Sequence, residues 1–433
     1  MNIHPVRNEH DIKRFAGFHG GEYGKVYGER PEDYYRGWRM TCENLLRHHP
    51  EITHDDFLMV EDEDTGEVIS TTCFIPWHCC YEEIPLKVAM LEEVATAPEH
   101  RRRGYMRALI ERFHRRVTDQ GYDFSIINGI PYYYRQYGYS YALDLNNADS
   151  LPSSKIPAAD EQELNRFHLR KATPGDITEL VKLYNQATSS LQIRDLRDQK
   201  YWQFLLVYME FPVQVIEEKP GGRILGYFCA HKLETTPGIK IFEAASPQDE
   251  AGMFVLKILK SQGGGEVQIG GSETDTLKRL VRSLGSNPLP GYQWLIRIPN
   301  FSALLSKIAP VLELRLRSSV FSDLTTDLRI NLYREALRLQ FRQGKLLEVT
   351  PLSFVDASVG AEGGDINIPP AAFIRLIFGY RQLDELLDAW PDIRLKPGCG
   401  DLLEILFPKM TSYFFMPWRY YGIEKYRSSI LQT

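Results

Sequence analysis

Apolar residues return at helical spacing through Met106, Leu109, Ile110, Phe113 and Val117, with Arg107, Arg112, Arg115 and Arg116 in the gaps. That period predicts an amphipathic helix opening at Tyr105, its stripe turned to a core and its arginines to water. Gly121 supplies its stop. The run from Val88 to Thr96 ahead of it reads as a strand, and Asp123 to Ile127 reads as another. Strict alternation along the first strand would put Glu92 with Met90 and Val94 on one face and Glu93 on the other. Earlier, residues 57–61 and 67–75 flank Asp64-Thr65-Gly66, a pattern that predicts a hairpin. A short strand from Ile3 to Arg7 and a helix from Asp11 come before it.

Helices and strands that alternate in this way predict an α/β (α+β) fold with mixed sheets. Residues 150–166 are rich in Ser, Pro, Asp and Glu and predict a linker. The chain then restarts. Leu169-Arg170-Lys171-Ala172-Thr173-Pro174-Gly175-Asp176-Ile177 echoes Val6-Arg7-Asn8-Glu9-His10-Asp11-Ile12, in each case a short strand with arginine before Asp-Ile at a helix start. The echo predicts a duplicated domain. A third unit includes the strand-like Leu328 to Leu332 and a helix from Pro369 to Gly379, opened by proline and closed by glycine. The expected division is residues 1–150, 151–310 and 311–418, followed by a tail, 419–433.

A chain of 433 residues is long enough for about three domains. At 43% hydrophobic and 25% charged, its composition is that of a globular protein. The net charge of −6 argues against general nucleic-acid binding and suits a cationic substrate. No stretch approaches the apolar length of a membrane helix, and the N-terminus lacks the apolar core of a signal peptide. Six cysteines without a Cys-x-x-Cys, two of them adjacent at Cys79 and Cys80, predict neither a disulfide framework nor a metal site. Reduced thiols place the expected protein in the cytoplasm, off the membrane.

Arg101-Arg102-Arg103-Gly104 sits between the predicted strand and the predicted helix. The first amides of a helix lack intrahelical partners and carry the positive end of its dipole, so a diphosphate suits this place. Arginine clusters are often plain solvated surface, but three cations at a helix start are unfavourable by dipole alone, and an arriving anion would offset that.

Val94-Ala95-Thr96-Ala97-Pro98-Glu99-His100-Arg101-Arg102-Arg103-Gly104-Tyr105-Met106 resembles the acyl-CoA motif of the GNAT family of N-acetyltransferases, Arg/Gln-x-x-Gly-x-Gly/Ala. Tyr134-Arg135-Gln136-Tyr137-Gly138-Tyr139 resembles the family's later Tyr-x-x-x-Gly-Phe/Tyr element. The three-part layout is similar to that of the Eis-like (enhanced intracellular survival) branch, in which two GNAT-type domains precede a sterol-carrier-protein-like domain. Residues 369–409 resemble that third domain. Two features depart from the pattern. Met106 stands where most members have Gly or Ala, and the tail runs past the expected end to Thr433.

The resemblance implies acetyl-CoA as co-substrate, a small amine as acceptor and no metal. It places the cofactor on Val94, Ala95, Thr96, Arg101, Arg102, Arg103, Gly104, Tyr105 and Met106. Tyr134 is the expected general acid, four residues before Gly138, while Tyr132 and Tyr133 read equally as packing. Glu92 is the expected base, with the Thr433 carboxylate as another candidate. Trp77, Tyr81, Phe18, Tyr23 and Tyr27 are the expected acceptor pocket. A homo-oligomer is expected from the same resemblance. The competing reading is an acyl-CoA sensor without turnover.

Overall fold

The computed structural model describes residues 2–26, 31–145, 147–233, 237–263, 265–353 and 364–415. Strands β1 (Asn2–Pro5), β2 (Phe57–Glu61), β3 (Val68–Tyr81), β4 (Ile84–Thr96), β5 (Phe124–Ile127) and β6 (Ser140–Leu145) come first. Then follow β7 (Ala148–Pro152), β8 (Phe167–Lys171), β9 (Ile193–Asp195), β10 (Val213–Glu218), β11 (Arg223–Lys232), β12 (Gly238–Ala245), β13 (Glu266–Ile269), β14 (Asn287–Leu289) and β15 (Tyr292–Arg297). The last are β16 (Thr326–Asn331), β17 (Ala336–Arg342), β18 (Lys345–Leu352), β19 (Ile366–Asn367) and β20 (Arg394–Leu395). They build three mixed sheets. The first runs β1-β2-β3-β4-β5-β15-β6 with β9 on β3, the second β14-β7-β13-β12-β11-β10-β8, and the third β18-β17-β16-β19-β20.

The first sheet carries helices α1 (Glu9–Val26), α2 (Pro31–His48) and α3 (Tyr105–Asp119). The predicted hairpin is β2 and β3, paired from Phe57↔Cys73 to Glu61↔Val68. The apolar stripe of α3 buries Leu109, Ile110, Phe113 and Val117. Ile110, Phe113 and Val117 meet Phe74, Ala89 and Leu91 of β3 and β4, while Leu109 joins Leu58, Val60 and Ile69. The other face of β4, through Leu86, Val88 and Met90, packs in the cluster that holds Phe15 of α1 with Cys42 and Leu45 of α2.

The second sheet repeats this order of elements. Strands β11 and β12 pair antiparallel, the helix Asp249–Gly263 crosses over, and β13 returns parallel to β12. Where the first unit has arginines before its crossover helix, the second has Asp249 and Glu250 in that helix's first turn.

The sheets do not follow the sequence units strand for strand. β15, from within residues 151–310, enters the first sheet between β5 and β6, with Leu295 opposite Ile127 on one side and Tyr141 on the other. Its Trp294 and Ile296 fill one core and Leu295 another, as befits a strand covered on both faces. Residues 150–166 are not an open linker. Leu151 on β7 pairs with Val267, Ile156 is buried, and Glu161–Arg166 is a helix capped by Asp160. The third unit docks through the helix Pro370–Ile377. Arg375 donates to the carbonyl of Tyr141 at 2.9 Å, and Ser140 donates to that of Ala371 at 3.1 Å. One continuous core cluster holds residues of all three units. Among the described residues, no helix is long and apolar enough to cross a membrane.

Candidate active site

β4 is held along one edge by β3 up to Thr96↔Ser70, but its parallel ladder to β5 ends at Met90↔Ile126. Past that rung β4 continues for six residues, Leu91 to Thr96, with no described strand on the β5 side. Val94, Ala95 and Thr96, where the resemblance puts the cofactor, lie on this stretch, without a ladder on the β5 side among the described residues. Ala95 is buried and Val94 and Thr96 are half-buried. The Thr96 hydroxyl lies 2.8 Å from that of Ser70, which also donates to the carbonyl of Ala95 at 3.0 Å.

The strand leads directly into the arginine loop. Pro98–His100 forms one short helical turn, and Arg101 donates from Nε to the carbonyl of Thr96 at 3.2 Å. Arg102 at φ +64° and Gly104 at φ +87° turn the chain into α3, with Gly104 as the N-cap. Alternation of right- and left-handed backbone is the kind of turn in which neighbouring amides can face an anion. Arg101, Arg102, Arg103 and Gly104 are exposed, and Tyr105 and Met106 are half-buried. Arg102 and Arg103 make no ion pair with any described residue.

Tyr134 is buried in the short helix Tyr133–Tyr137, among Leu91, Ile110, Phe113 and Tyr139. Its ring lies on Gly129, where an added Cβ would stand 2.1 Å from the ring. Nothing in the local sequence signals this packing role of Gly129. Gly138 at φ +86° closes the turn, and the amide of Tyr139 donates back to the carbonyl of Tyr134 at 3.4 Å. Of the neighbouring tyrosines, Tyr132 is exposed. Tyr133 stacks edge-on against Tyr134 with ring centres 5.0 Å apart, and burial raises its phenol pKa.

The strict alternation expected for the two glutamates fails. Thr71 pairs with Ala95 but Cys73 with Glu92, so β4 carries an extra residue there, and Glu93 takes φ +54°. The bulge turns Glu93 toward α1 and α2, the side of Met90, while Val94 packs on the α3 side with Met106. Glu93 meets His19 Nε2 of α1 and accepts a hydrogen bond from the Cys42 thiol of α2 at 3.2 Å. All three are buried, at 2%, 1% and 0% exposure. Burial first, and then the Glu93 charge, push the Cys42 pKa well up. Glu92 is 9% exposed. Sequence reasoning missed His19 and Cys42, because only the fold brings positions 19, 42 and 93 together.

Two of the expected acceptor-pocket residues are interior struts. Trp77 lies against Phe414, ring centres 4.1 Å apart, and near Trp294 of β15. The Tyr81 hydroxyl donates to the carbonyl of Ile377 in the third unit at 2.8 Å and accepts from Gln192 in the second at 2.8 Å. Both are covered because the other units sit on this end of β3. Phe18 is half-buried on α1. The side chain of Tyr23, and the whole of Tyr27 and Thr433, lie outside the described residues. Two cavities of about 260 Å³ each lie elsewhere. One is at the three-unit junction by Lys240, Tyr380 and Phe415, and the other is beside Glu243 and Asp275.

Residues 23–142 match the model of the acetyltransferase (GNAT) domain. The chain carries a GNAT acetyltransferase domain. The match spans α2, the β3–β4 hairpin, the arginine loop, α3, β5 and Tyr134. N-acetyltransferase Eis of Mycobacterium tuberculosis is 41% identical over 68 residues, 15% of this chain. The chain matches only 16% of the length of that relative. A probable N-acyltransferase from Enterococcus faecalis superposes with a TM-score of 0.69 at 15% identity, over 96% of this chain and 99% of its own. Eis1 from Mycobacterium abscessus gives 0.63 at 14%, over 96% and 99%. At such identities the likeness establishes a shared fold along nearly the whole chain, the GNAT domain included.

Proposed function

We propose that the N-terminal unit moves an acetyl group from acetyl-CoA to a primary amine by direct attack within a ternary complex. The parting of β4 from β5 after Met90, next to an exposed arginine loop, carries this reading. Pantetheine would lie along Val94, Ala95 and Thr96 and pair with backbone, and Arg101, Arg102 and Arg103 with the amides from Gly104 to Met106 would hold the diphosphate. The amine nitrogen bonds to the thioester carbon, a β4 amide stabilises the oxyanion, and the carbon–sulfur bond then breaks. Tyr134 gives its proton to the departing thiolate and Glu92 takes one from the amine. The Thr433 carboxylate is the other candidate base. Phe18, Tyr23 and Tyr27 would face the acceptor.

The third unit fits a sterol-carrier-protein-like domain that braces the others, and a cytoplasmic oligomer fits the same reading. Thiol release from acetyl-CoA, measured with polyamines, aminoglycosides and a lysine peptide, tests the proposal. Release that depends on one of these amines supports it. Binding of acetyl-CoA with no release for any acceptor supports the sensor reading instead. Removing residues 419–433 separates the two bases, since activity that persists excludes Thr433.

A further inference from the structure

The carboxylate, imidazole and thiol that meet beneath the β4 bulge have no part in the proposed transfer. They come from three elements, Glu93 from β4, His19 from α1 and Cys42 from α2, and their ligand atoms all lie within 4.8 Å of one another. Oxygen, nitrogen and sulfur donors converging in this way suit a borderline divalent ion better than a hard one such as magnesium or calcium.

We propose that His19, Cys42 and Glu93 form a binding site for a divalent transition metal, of which zinc is the best fit. A thiolate and a carboxylate offset both charges of the ion, so the loaded site is neutral. That matters where three side chains are at most 2% exposed, because an uncompensated charge there is costly. Binding would take the proton off the Cys42 sulfur and release it to solvent.

The surroundings support the assignment. His19 stacks over Phe15 at 6.4 Å and meets the edge of Trp38 at 5.8 Å, which fixes the plane of the imidazole. The left-handed backbone at Glu93 turns its carboxylate into the cluster. The inference does not depend on acetyl transfer.

The test uses the full chain without a histidine tag. Elemental analysis should find about one zinc per chain. After chelator treatment, added cobalt(II) should give visible bands of tetrahedral cobalt and a near-ultraviolet thiolate charge-transfer band, with protons released. Cys42→Ser should lose the charge-transfer band, and His19→Gln should lose most of the cobalt affinity. The wild-type measurements stand even if a variant fails to fold. No retained zinc together with no cobalt spectrum at millimolar cobalt overturns the site. So does a cobalt spectrum that Cys42→Ser leaves unchanged.

Discussion

At the scale of single residues, Tyr134 is where the proposed mechanism is most exposed to test. Its phenol is needed only as the thiolate leaves, so Tyr134→Phe should lower kcat by about a hundredfold and leave KM for acetyl-CoA nearly unchanged. Steady-state kinetics decide it, and an unaltered kcat removes Tyr134 from the chemistry. Gly129 should matter through the same ring. A methyl group at 2.1 Å from Tyr134 must displace it, so Gly129→Ala should cost about 1–3 kcal/mol in urea unfolding and lower kcat as well. Tyr134 is named as a candidate by the resemblance of Tyr134 to Tyr139 to a family motif. Gly129 could not be read in the sequence, because a glycine kept for contact looks the same as one kept for a turn.

At the scale of elements, the turn into α3 is a self-contained device of backbone amides and exposed cations. Reversing charge at Arg101 and Arg102 should weaken acetyl-CoA binding by calorimetry and raise its KM, while kcat at saturation holds. Unchanged binding in that variant would refute the diphosphate site. The end of α2 makes a different prediction. His49 is buried against Tyr201 and Phe204 of the second unit, ring centres 6.0 and 5.1 Å away, and its Nδ1 accepts from the Glu51 amide at 3.3 Å. Desolvation lowers its pKa from 6.5 to about 4. The unfolded chain therefore binds the proton first. Stability from this contact is complete above pH 6.5 and lost as pH falls toward 4, by about 3 kcal/mol in all. His49→Gln should flatten the fall of Tm over that window, and an identical slope in the variant would refute it.

At the scale of the whole molecule, the units are joined by buried polar contacts as well as by apolar surface. Arg197 is fully buried, and its guanidinium donates to Asp195 and to both oxygens of Glu243, each at 2.7 Å. Tyr184 donates to Asp195 at 2.6 Å, Tyr227 to Glu243 at 2.9 Å, and Tyr413, from the third unit, to Glu243 at 3.3 Å. Arg197→Met leaves two buried carboxylates without their cation, and urea unfolding should show a loss of about 3–5 kcal/mol. A loss under about 1 kcal/mol would mean that water reaches the network.

Local pattern carried the sequence reading as far as local physics reaches. The period of Met106 to Val117 specified α3, turn residues marked the β2–β3 hairpin, the position between strand and helix singled out the arginine loop, and the resemblance to a family motif named Tyr134 as a candidate. Each depends on residues close along the chain, where periodicity and turn chemistry act. The bulge that reorients Glu93, the entry of β15 into the first sheet and the burial of Trp77 and Tyr81 depend on partners far away in sequence. The meeting of His19, Cys42 and Glu93 is of the same kind. It needs two helices laid over one kinked strand, and no spacing along a single segment can encode that.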